Sequence, residues 1–292
     1  MTEIQASGRN GPAVRQSPTV SATSARKAKR ARREWGESPL FRILTPTLAV
    51  VLAVAAWQVI TEAGNFAPTV LPSPARVAES AWADRAELWA NTIPTLQVTA
   101  IGLLVSVTIA AALATLLSFV PLLRNATLPL LIVAQSIPII VLAPLFVIWF
   151  GFGLGPKIGL IVITTALPMT ISLLQGFLSA DPDAATLMKS LGANRVKVFL
   201  RLQVPSSLPY FFTGLRVVAS FAVLAAIFAE TVGAVKGLGI YMATQKNMLR
   251  TDLVLAAAIV SIVVSLLLFA FTYLLETLAM PWERRRKAMR SE

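Results

Sequence analysis

Long stretches of this chain hold no charged residue. Runs without Asp, Glu, Lys or Arg occupy 43–61, 88–123, 125–156, 158–180, 202–215, 217–229 and 253–275. A helix needs about 20 apolar residues to cross roughly 30 Å of hydrocarbon, so several of these runs are long enough to span a membrane. A soluble helical bundle would instead place charges on an outer face every turn or two. The pattern predicts a membrane protein.

These runs divide into about six predicted transmembrane helices. Residues 63–88 interrupt the pattern because their prolines prevent a continuous helix, and residues 181–203 are polar and amphipathic. A Gly-rich loop follows the fifth run. We expect the helices at 43–62, 91–120, 127–149, 158–178, 208–231 and 253–279. The predicted fold class is therefore all-α, with the transmembrane domain over 39–282.

Composition and the placement of charge support this interpretation. The chain is 56% hydrophobic and only 14% charged, against about 25% charged residues in soluble domains. The net charge of +12 comes largely from basic blocks at 26–33 and 284–290, which flank membrane segments and suit the anionic headgroups of a lipid bilayer. We therefore expect no nucleic-acid partner. Residues 1–38 lack apolar periodicity and are expected to form a disordered basic tail, and residues 283–292 a second basic tail.

The distribution of Lys and Arg predicts the orientation. Six helices place both termini on one side of the membrane, and 19 of the 26 basic residues then lie on that side, against six on the other and Arg216 within the fifth helix. Cytoplasmic loops of membrane proteins are enriched in Lys and Arg. We expect a multi-pass protein of a bacterial inner membrane with both termini and residues 181–203 in the cytoplasm.

Residues 181–203 contain the signals of a short capped helix. Asp181 is a suitable N-cap, Pro182 fits the first helical position, and Gly192 fits the left-handed position after the helix end. Asn194 is expected to cap a second helix that begins at Arg195. The first helix, of about ten residues, is too short to cross a membrane.

One face of this short helix is apolar, because its apolar residues recur at i, i+3, i+4 and i+7. They are Ala184, Leu187, Met188 and Leu191. Such a face suits docking into the groove of a partner protein. Resting on the bilayer surface or on the protein's own helices is an equally good explanation from physical chemistry alone.

The same segment resembles a known transporter motif. Thr186–Asn194 and Val204–Pro209 resemble the EAA loop of ABC importer permeases, in which it forms a coupling helix in a cleft of the cytoplasmic ATPase. The resemblance to permeases of the nitrate, sulfonate and taurine type covers most of 68–282. It also includes Leu71–Pro74, Ile137–Pro138, Ala143–Leu145, Trp149–Gly153, Gly214–Arg216 and Gly237–Gly239.

This resemblance implies a set of roles and partners. The fold is that of a type I importer permease, and the residues implied to couple the chain to the ATPase are Asp181, Ala184, Leu187, Met188, Leu191, Gly192 and Ala193. The implied partners are an ATP-binding cassette ATPase, an extracytoplasmic solute-binding protein and a second copy of the chain. Thr186–Met188 stands where the family has Glu-Ala-Ala, and this variant together with Glu230–Ala234 is most similar to the branch associated with thiamine pyrimidine precursors.

Few polar groups are available to line a transport pathway. Glu230 should lie near the outer end of the fifth helix, where it organises the loop at 233–239 or faces the pathway. Arg216, about 21 Å from it along a helix, cannot pair with it and is expected to have a structural role. Gln135 and Ser136 precede Ile137-Pro138 and either present polar groups at a helix break or satisfy carbonyls freed by the proline.

Small residues recur every four positions in the second predicted helix. They are Gly102, Ser106, Ala110, Ala114 and Ser118. Residues of this size at this spacing let helices approach closely, so the stripe predicts packing rather than a pore.

What the sequence lacks narrows the function. It has no Cys, no His and no Gly-x-x-x-x-Gly-Lys-Ser/Thr motif, so we expect no catalytic residue, metal site or cofactor, and ATP hydrolysis on a partner chain. The predicted function is the permease subunit of an importer for a small organic or anionic solute. The alternative is an ATP-independent channel or ion-coupled carrier, although internal repeats and further intramembrane carboxylates that would favour it are not apparent.

Overall fold

A computed structural model of the protein describes residues 39–64 and 66–281, and the predicted basic tails at 1–38 and 283–292 lie outside the described residues. Within the described part every regular element is a helix. These are α1 (Pro39–Ala63), α2 (Pro74–Ala83), α3 (Arg85–Phe119), α4 (Pro121–Ala134), α5 (Ile139–Phe150), α6 (Leu154–Leu178), α7 (Pro182–Ser190), α8 (Arg195–Val198), α9 (Val204–Gly233), α10 (Leu238–Asn247) and α11 (Thr251–Ala279). The prediction of an all-α fold is confirmed.

Five segments are long and apolar enough to cross a membrane, namely Leu44–Ala63, α3, α6, Arg195–Gly233 and α11. A sixth span is formed if α4 and α5 cross together. The chain divides into two compact units between Ile60 and Thr61. The first contains most of α1, and the second contains α2 to α11.

The core of the second unit is built around α6, which packs against both α3 and α9. Alanines at 219, 222, 225 and 226 of α9 are fully buried, so the backbones approach closely. The small-residue stripe of α3 also packs as predicted. A Cβ on Gly102 would lie 2.7 Å from Ile161 of α6, and the Thr165 hydroxyl donates a hydrogen bond to Ser106 Oγ at 2.7 Å.

The third predicted helix, at 127–149, is wrong as a continuous element. The chain breaks at 135–138, and α4 and α5 meet there at an angle of 100°. Pro138 has an extended backbone, with φ −64° and ψ 126°, and lacks the N–H that would continue the helical ladder. The break could not be recognised from the charge pattern, because the run of 125–156 continues through it without a charged residue.

Two predicted loops contain short helices, and one predicted loop merges with a span. Helix α2 lies within 63–88, and α10 lies within the Gly-rich loop after the fifth span. The chain also stays helical from Arg195 into α9, through a π-helical turn at Phe199–Gln203 in which the Val204 N–H donates to the Phe199 carbonyl. The wider turn accommodates Pro205, which cannot donate to the ladder. The span therefore begins well before residue 208.

Candidate functional site

Helix α7 is closed at both ends by the residues that the sequence indicated. Asp181 Oδ1 accepts hydrogen bonds from the Asp183 and Ala184 N–H groups at 2.8 and 3.4 Å. At the other end Gly192 has φ +84°, and its N–H donates to the Lys189 carbonyl while the Ala193 N–H donates to the Met188 carbonyl. These two bonds form a Schellman motif. The capping prediction is confirmed, with a helix of nine residues.

The apolar face of α7 is divided between the protein and the exterior. Ala184 and Met188 are half-buried, whereas Leu187 is 62% and Leu191 79% exposed. Helix α7 packs chiefly against α8. Two leucines on a capped helix therefore remain available to a partner, and the docking role stays a prediction.

The second half of the loop is anchored to α3. Asn194 Oδ1 accepts a hydrogen bond from the Lys197 N–H at 2.9 Å and so caps α8 as predicted. Arg195 Nη2 donates to the Phe119 carbonyl at 2.6 Å, and the guanidinium lies 5.2 Å from the centre of the Phe119 ring. Phe119 is the last residue of α3, so Arg195 satisfies a carbonyl that has no partner within the helix.

An aromatic cluster joins the same loop to α6. The rings of Phe119 and Phe199 lie 5.0 Å apart, as do those of Phe177 and Phe199. Phe177 and Phe199 are buried. The cluster connects the ends of α3 and α6 with the π-helical turn that leads into α9. Sequence reasoning did not find it, because its three members come from separate spans.

At the opposite end of the bundle, the N-terminus of α10 is capped by side chains of other helices. Helix α10 has no cap residue of its own. The N–H groups of Gly237, Leu238 and Gly239 donate to Asn91 Oδ1 at 3.0 Å, Thr95 Oγ1 at 2.9 Å and Glu230 Oε2 at 2.9 Å. Thr95 also donates to Glu230 at 2.9 Å. We call Asn91, Thr95, Glu230 and residues 237–239 the outer clamp.

Glu230 is fully buried within the outer clamp. A Cβ on Gly237 would overlap the Glu230 carboxylate, and a Cβ on Gly239 would overlap the Ile227 carbonyl oxygen, so both glycines permit this close approach. These contacts match the loop-organising role, one of the two roles that the sequence left open. A role of Glu230 in the pathway stays a prediction.

Two further polar groups link helices on the side of the outer clamp. Tyr241 of α10 donates to Asp84 Oδ2 at 2.5 Å, and burial together with this carboxylate raises the pKa of the Tyr241 phenol. Asp252 of α11 accepts from Ser80 at 2.7 Å and from Arg250 at 3.0 Å. Helices α2, α10 and α11 are thereby tied together.

Arg216, a charged residue within α9, forms an ion pair with a residue of α11. Arg216 Nη1 lies 2.9 Å from Glu276 Oε2, and both side chains are largely buried. Pairing compensates the cost of placing each charge among apolar helices. The expected structural role of Arg216 is consistent with this contact, but the sequence did not identify Glu276 as the partner.

The break between α4 and α5 borders a cavity of about 260 Å³. Gln135 lies on its wall, whereas Ser136 is exposed beside it and is not among the lining residues. The walls come from the break and from α4, α5, α6 and α9. The lining residues are Ala134, Gln135, Ile137, Ile139, Leu142, Ile163, Thr164, Pro168, Phe221 and Leu224. A place for Gln135 and Ser136 on the pathway stays a prediction.

No group of three or more Asp or Glu side chains in residues 39–64 and 66–281 is placed to hold a metal ion.

Comparison with known proteins places these features in a family. Residues 91–279 match the family described as "Binding-protein-dependent transport system inner membrane component". A probable ABC transporter permease protein of Haemophilus influenzae is 32% identical over 228 residues, covering 78% of this chain and 93% of the relative. The formylaminopyrimidine transport permease protein ThiX of Halalkalibacterium halodurans is 31% identical over 247 residues, covering 84% and 98%. The taurine transport system permease protein TauC of Escherichia coli is 28% identical over 263 residues, covering 87% and 94%.

A solved structure shares the fold. The crystal structure of an amino acid ABC transporter with histidines contains a chain that superposes with a TM-score of 0.55 at 16% sequence identity, covering 68% of this chain and 96% of that one. The likeness extends over nearly all of the solved chain.

Proposed function

Because this chain belongs to the family of binding-protein-dependent transport system inner membrane components, we propose that it takes up a small organic or anionic solute by coupling to an ATPase that docks on α7. The chain itself contains no Walker motif, so ATP is hydrolysed by the partner. The solute is delivered from outside by a binding protein. Two copies of the chain assemble around the pathway.

The observation that supports this proposal best is the exposed apolar pair of α7. Leu187 and Leu191 project from a helix whose ends are fixed by Asp181 and Gly192. A preformed helix loses little conformational freedom when it enters a groove. The apolar side chains then gain by leaving water, and that gain supplies the affinity.

The helical segment that follows α7 runs without a break into a span, and this supports the coupling step. Residues from Arg195 to Gly233 form one candidate span of 39 residues, which corresponds to about 58 Å at roughly 1.5 Å per residue. One end is held to α3 by Arg195, and the other is held to α10 through Glu230. Movement of α7 by the closing ATPase would therefore tilt a stiff element whose far end holds the outer clamp. This tilt would alternate access between the two sides.

The proposal includes an orientation. Residues 181–203 face the cytoplasm, as do both termini, with α4 and α5 together serving as one span. The outer clamp faces the binding protein. The 19 basic residues on the side of the termini support this arrangement. The solute belongs to the thiamine pyrimidine precursors or to the nitrate, sulfonate and taurine class.

The test replaces the exposed apolar pair with charge. Leu187→Glu with Leu191→Glu should abolish co-purification of the partner ABC ATPase, and should abolish ATP-driven uptake in proteoliposomes. Thr186→Glu is the matched control, because it adds a charge to the same helix at the position where the resembling family has Glu. Uptake and co-purification that survive the double substitution would contradict docking on α7. Uptake by the chain alone would instead favour an ATP-independent carrier.

A further inference from the structure

The cavity beside the break between α4 and α5 is free of charge on every wall. All ten lining residues come from three charge-free runs, at 125–156, 158–180 and 217–229. We propose that this cavity is a solute-binding subsite for an uncharged, single-ring heterocycle with an amide-like hydrogen-bonding edge, and that it disfavours sulfonates. This inference rests on the proposed transport function and chooses between the two solute classes left open there.

The depth of the cavity suits a site on the pathway. Ile163, Thr164 and Pro168 lie near the middle of α6, and Phe221 and Leu224 lie near the middle of α9. On α6 the cavity is therefore close to mid-depth, and on α9 it lies between the middle of the helix and the outer clamp, since Leu224 is six residues, or about 9 Å along the helix, from Glu230. Transporter sites are commonly found at this depth, where a discontinuous helix frees polar groups. The break at 135–138 is such a discontinuity.

The polar groups of the cavity are few and uncharged. The Gln135 side-chain amide is exposed and makes no hydrogen bond within the described part of the chain. It offers one acceptor and two donors. The Thr164 hydroxyl donates to the Leu160 and Ile161 carbonyls at 2.8 and 2.9 Å, so it is left as an acceptor. An amide, aminopyrimidine or similar edge pairs with this combination.

The apolar walls favour a flat ring. Phe221 is 51% exposed, and Leu224 is 45% exposed beside it on α9. An aromatic face and an aliphatic side chain both pack well against a planar heterocycle. The volume of about 260 Å³ lies just below the roughly 300 to 1,000 Å³ of sites for drug-sized ligands. A single ring therefore fits better than a fused system of three rings.

A sulfonate would enter this cavity without a counter-ion. It keeps its negative charge at every physiological pH, and transfer of an unpaired ion out of water is strongly unfavourable. The charged residues that bound the three runs are Arg124, Lys157, Asp181, Arg216 and Glu230, and none of them lines the cavity. Arg216 is already paired with Glu276. The charge pattern therefore favours a neutral solute.

Direct binding tests this inference without the ATPase. The full chain is placed in nanodiscs, and binding of radiolabelled formylaminopyrimidine is measured by equilibrium dialysis with unlabelled formylaminopyrimidine or ethanesulfonate as competitor. We expect saturable binding that ethanesulfonate does not displace. Gln135→Leu should weaken binding about fivefold, as expected for one lost hydrogen bond. Gln97→Leu, an exposed Gln of α3 outside the cavity, should leave it unchanged.

A second variant tests the role of charge. Leu224→Arg places a cation in the cavity wall and should reverse the preference, so that ethanesulfonate competes and formylaminopyrimidine is weakened. Ethanesulfonate that competes equally with the unmodified chain would overturn the proposal. So would unaltered binding by Gln135→Leu, or no binding of formylaminopyrimidine at all. Because binding requires no ATP, loss of uptake through α7 would leave these results unaffected and would count against the proposed coupling alone.

Discussion

The guanidinium of Arg195 donates a hydrogen bond to the backbone carbonyl of Phe119 at 2.6 Å, and it lies 5.2 Å from the centre of the ring of the same residue. The bond joins the residue that opens α8 to the residue that ends α3. A positive charge at a helix C-terminus is also stabilised by the helix dipole. The Arg195 side chain therefore links the segment after α7 to α3, a span that is distant from this segment in the sequence.

Removing the hydrogen bond between Arg195 and Phe119 should partly uncouple ATP hydrolysis from transport. In Arg195→Ala, solute uptake per ATP hydrolysed should fall by about fivefold or more, because roughly 1 kcal/mol of linkage between the loop and α3 is lost. Uptake and phosphate release are measured together in proteoliposomes that contain the ATPase. Arg201→Ala, an exposed Arg on the following turn, is the control. Equal uptake per ATP in both variants would remove Arg195 from the coupling path.

The end of α7 should tolerate Asn at position 192 but not Ala. Gly192 has φ +84°, and a Cβ there would meet no atom within 4 Å, so the only penalty is backbone strain. That strain amounts to about 1–2 kcal/mol for Ala and is smaller for Asn. Amide hydrogen exchange of residues 187–193 should quicken in Gly192→Ala and change little in Gly192→Asn. The same exchange rate in both variants would show that the left-handed turn does not hold α7.

Because the contacts within the outer clamp are so close, we expect one added methyl group to lower the stability of the protein strongly. Gly239→Ala forces a Cβ into the Ile227 carbonyl, and this overlap should cost about 1–3 kcal/mol. Gly155→Ala is the control, since a Cβ there meets nothing within 4 Å. The thermal midpoint of the detergent-solubilised protein, followed by size-exclusion chromatography after heating, should drop only for Gly239→Ala. Equal midpoints would mean that α10 is not clamped in this way.

We expect the effects on stability of replacing Arg216 of α9 and Glu276 of α11 to depend on each other. Glu276→Ala leaves the largely buried Arg216 without an acidic partner and should destabilise the bundle by about 1–3 kcal/mol, between the values for exposed and buried pairs. Adding Arg216→Ala should recover part of the loss. A double-mutant cycle of thermal midpoints measures the coupling. If the two single effects simply add, the pair makes no net contribution.

Whether a contact in this structure could be predicted from the sequence depends on how far apart its residues lie along the chain. The caps of α7 depend on residues within a few positions of one another, and Asp181, Gly192 and Asn194 act as their types and spacing indicate. The partners of Glu230 could not be predicted in this way. Thr95 lies 135 residues earlier in the chain, and no local pattern brings it to Glu230. The pairing of Arg216 with Glu276 could not be predicted for the same reason, because the two residues are distant in the sequence.

The break at Pro138 illustrates a second limit. The absence of charge marks a run as a whole, so it identified residues 125–156 but not the 100° bend within them. Pro129 and Pro144 lie inside helices α4 and α5, and proline alone therefore does not mark a break. The cavity beside the bend requires α6 and α9 to be in place. Sequence alone could indicate Gln135 as a polar residue at depth, but not the uncharged walls around it.

Cysteine accessibility at Leu191 tests the central claim, that α7 is the docking site of the ATPase, most directly. The chain contains no Cys, so Leu191→Cys introduces a single thiol on a side chain that is 79% exposed. In inside-out membrane vesicles, its labelling by a membrane-impermeant maleimide should slow at least about tenfold once the ATPase is bound. Val235→Cys, 95% exposed beside the outer clamp, should be labelled only in right-side-out vesicles and at one rate with or without the ATPase. Equal labelling of Leu191→Cys in the presence and absence of the ATPase would contradict docking on α7.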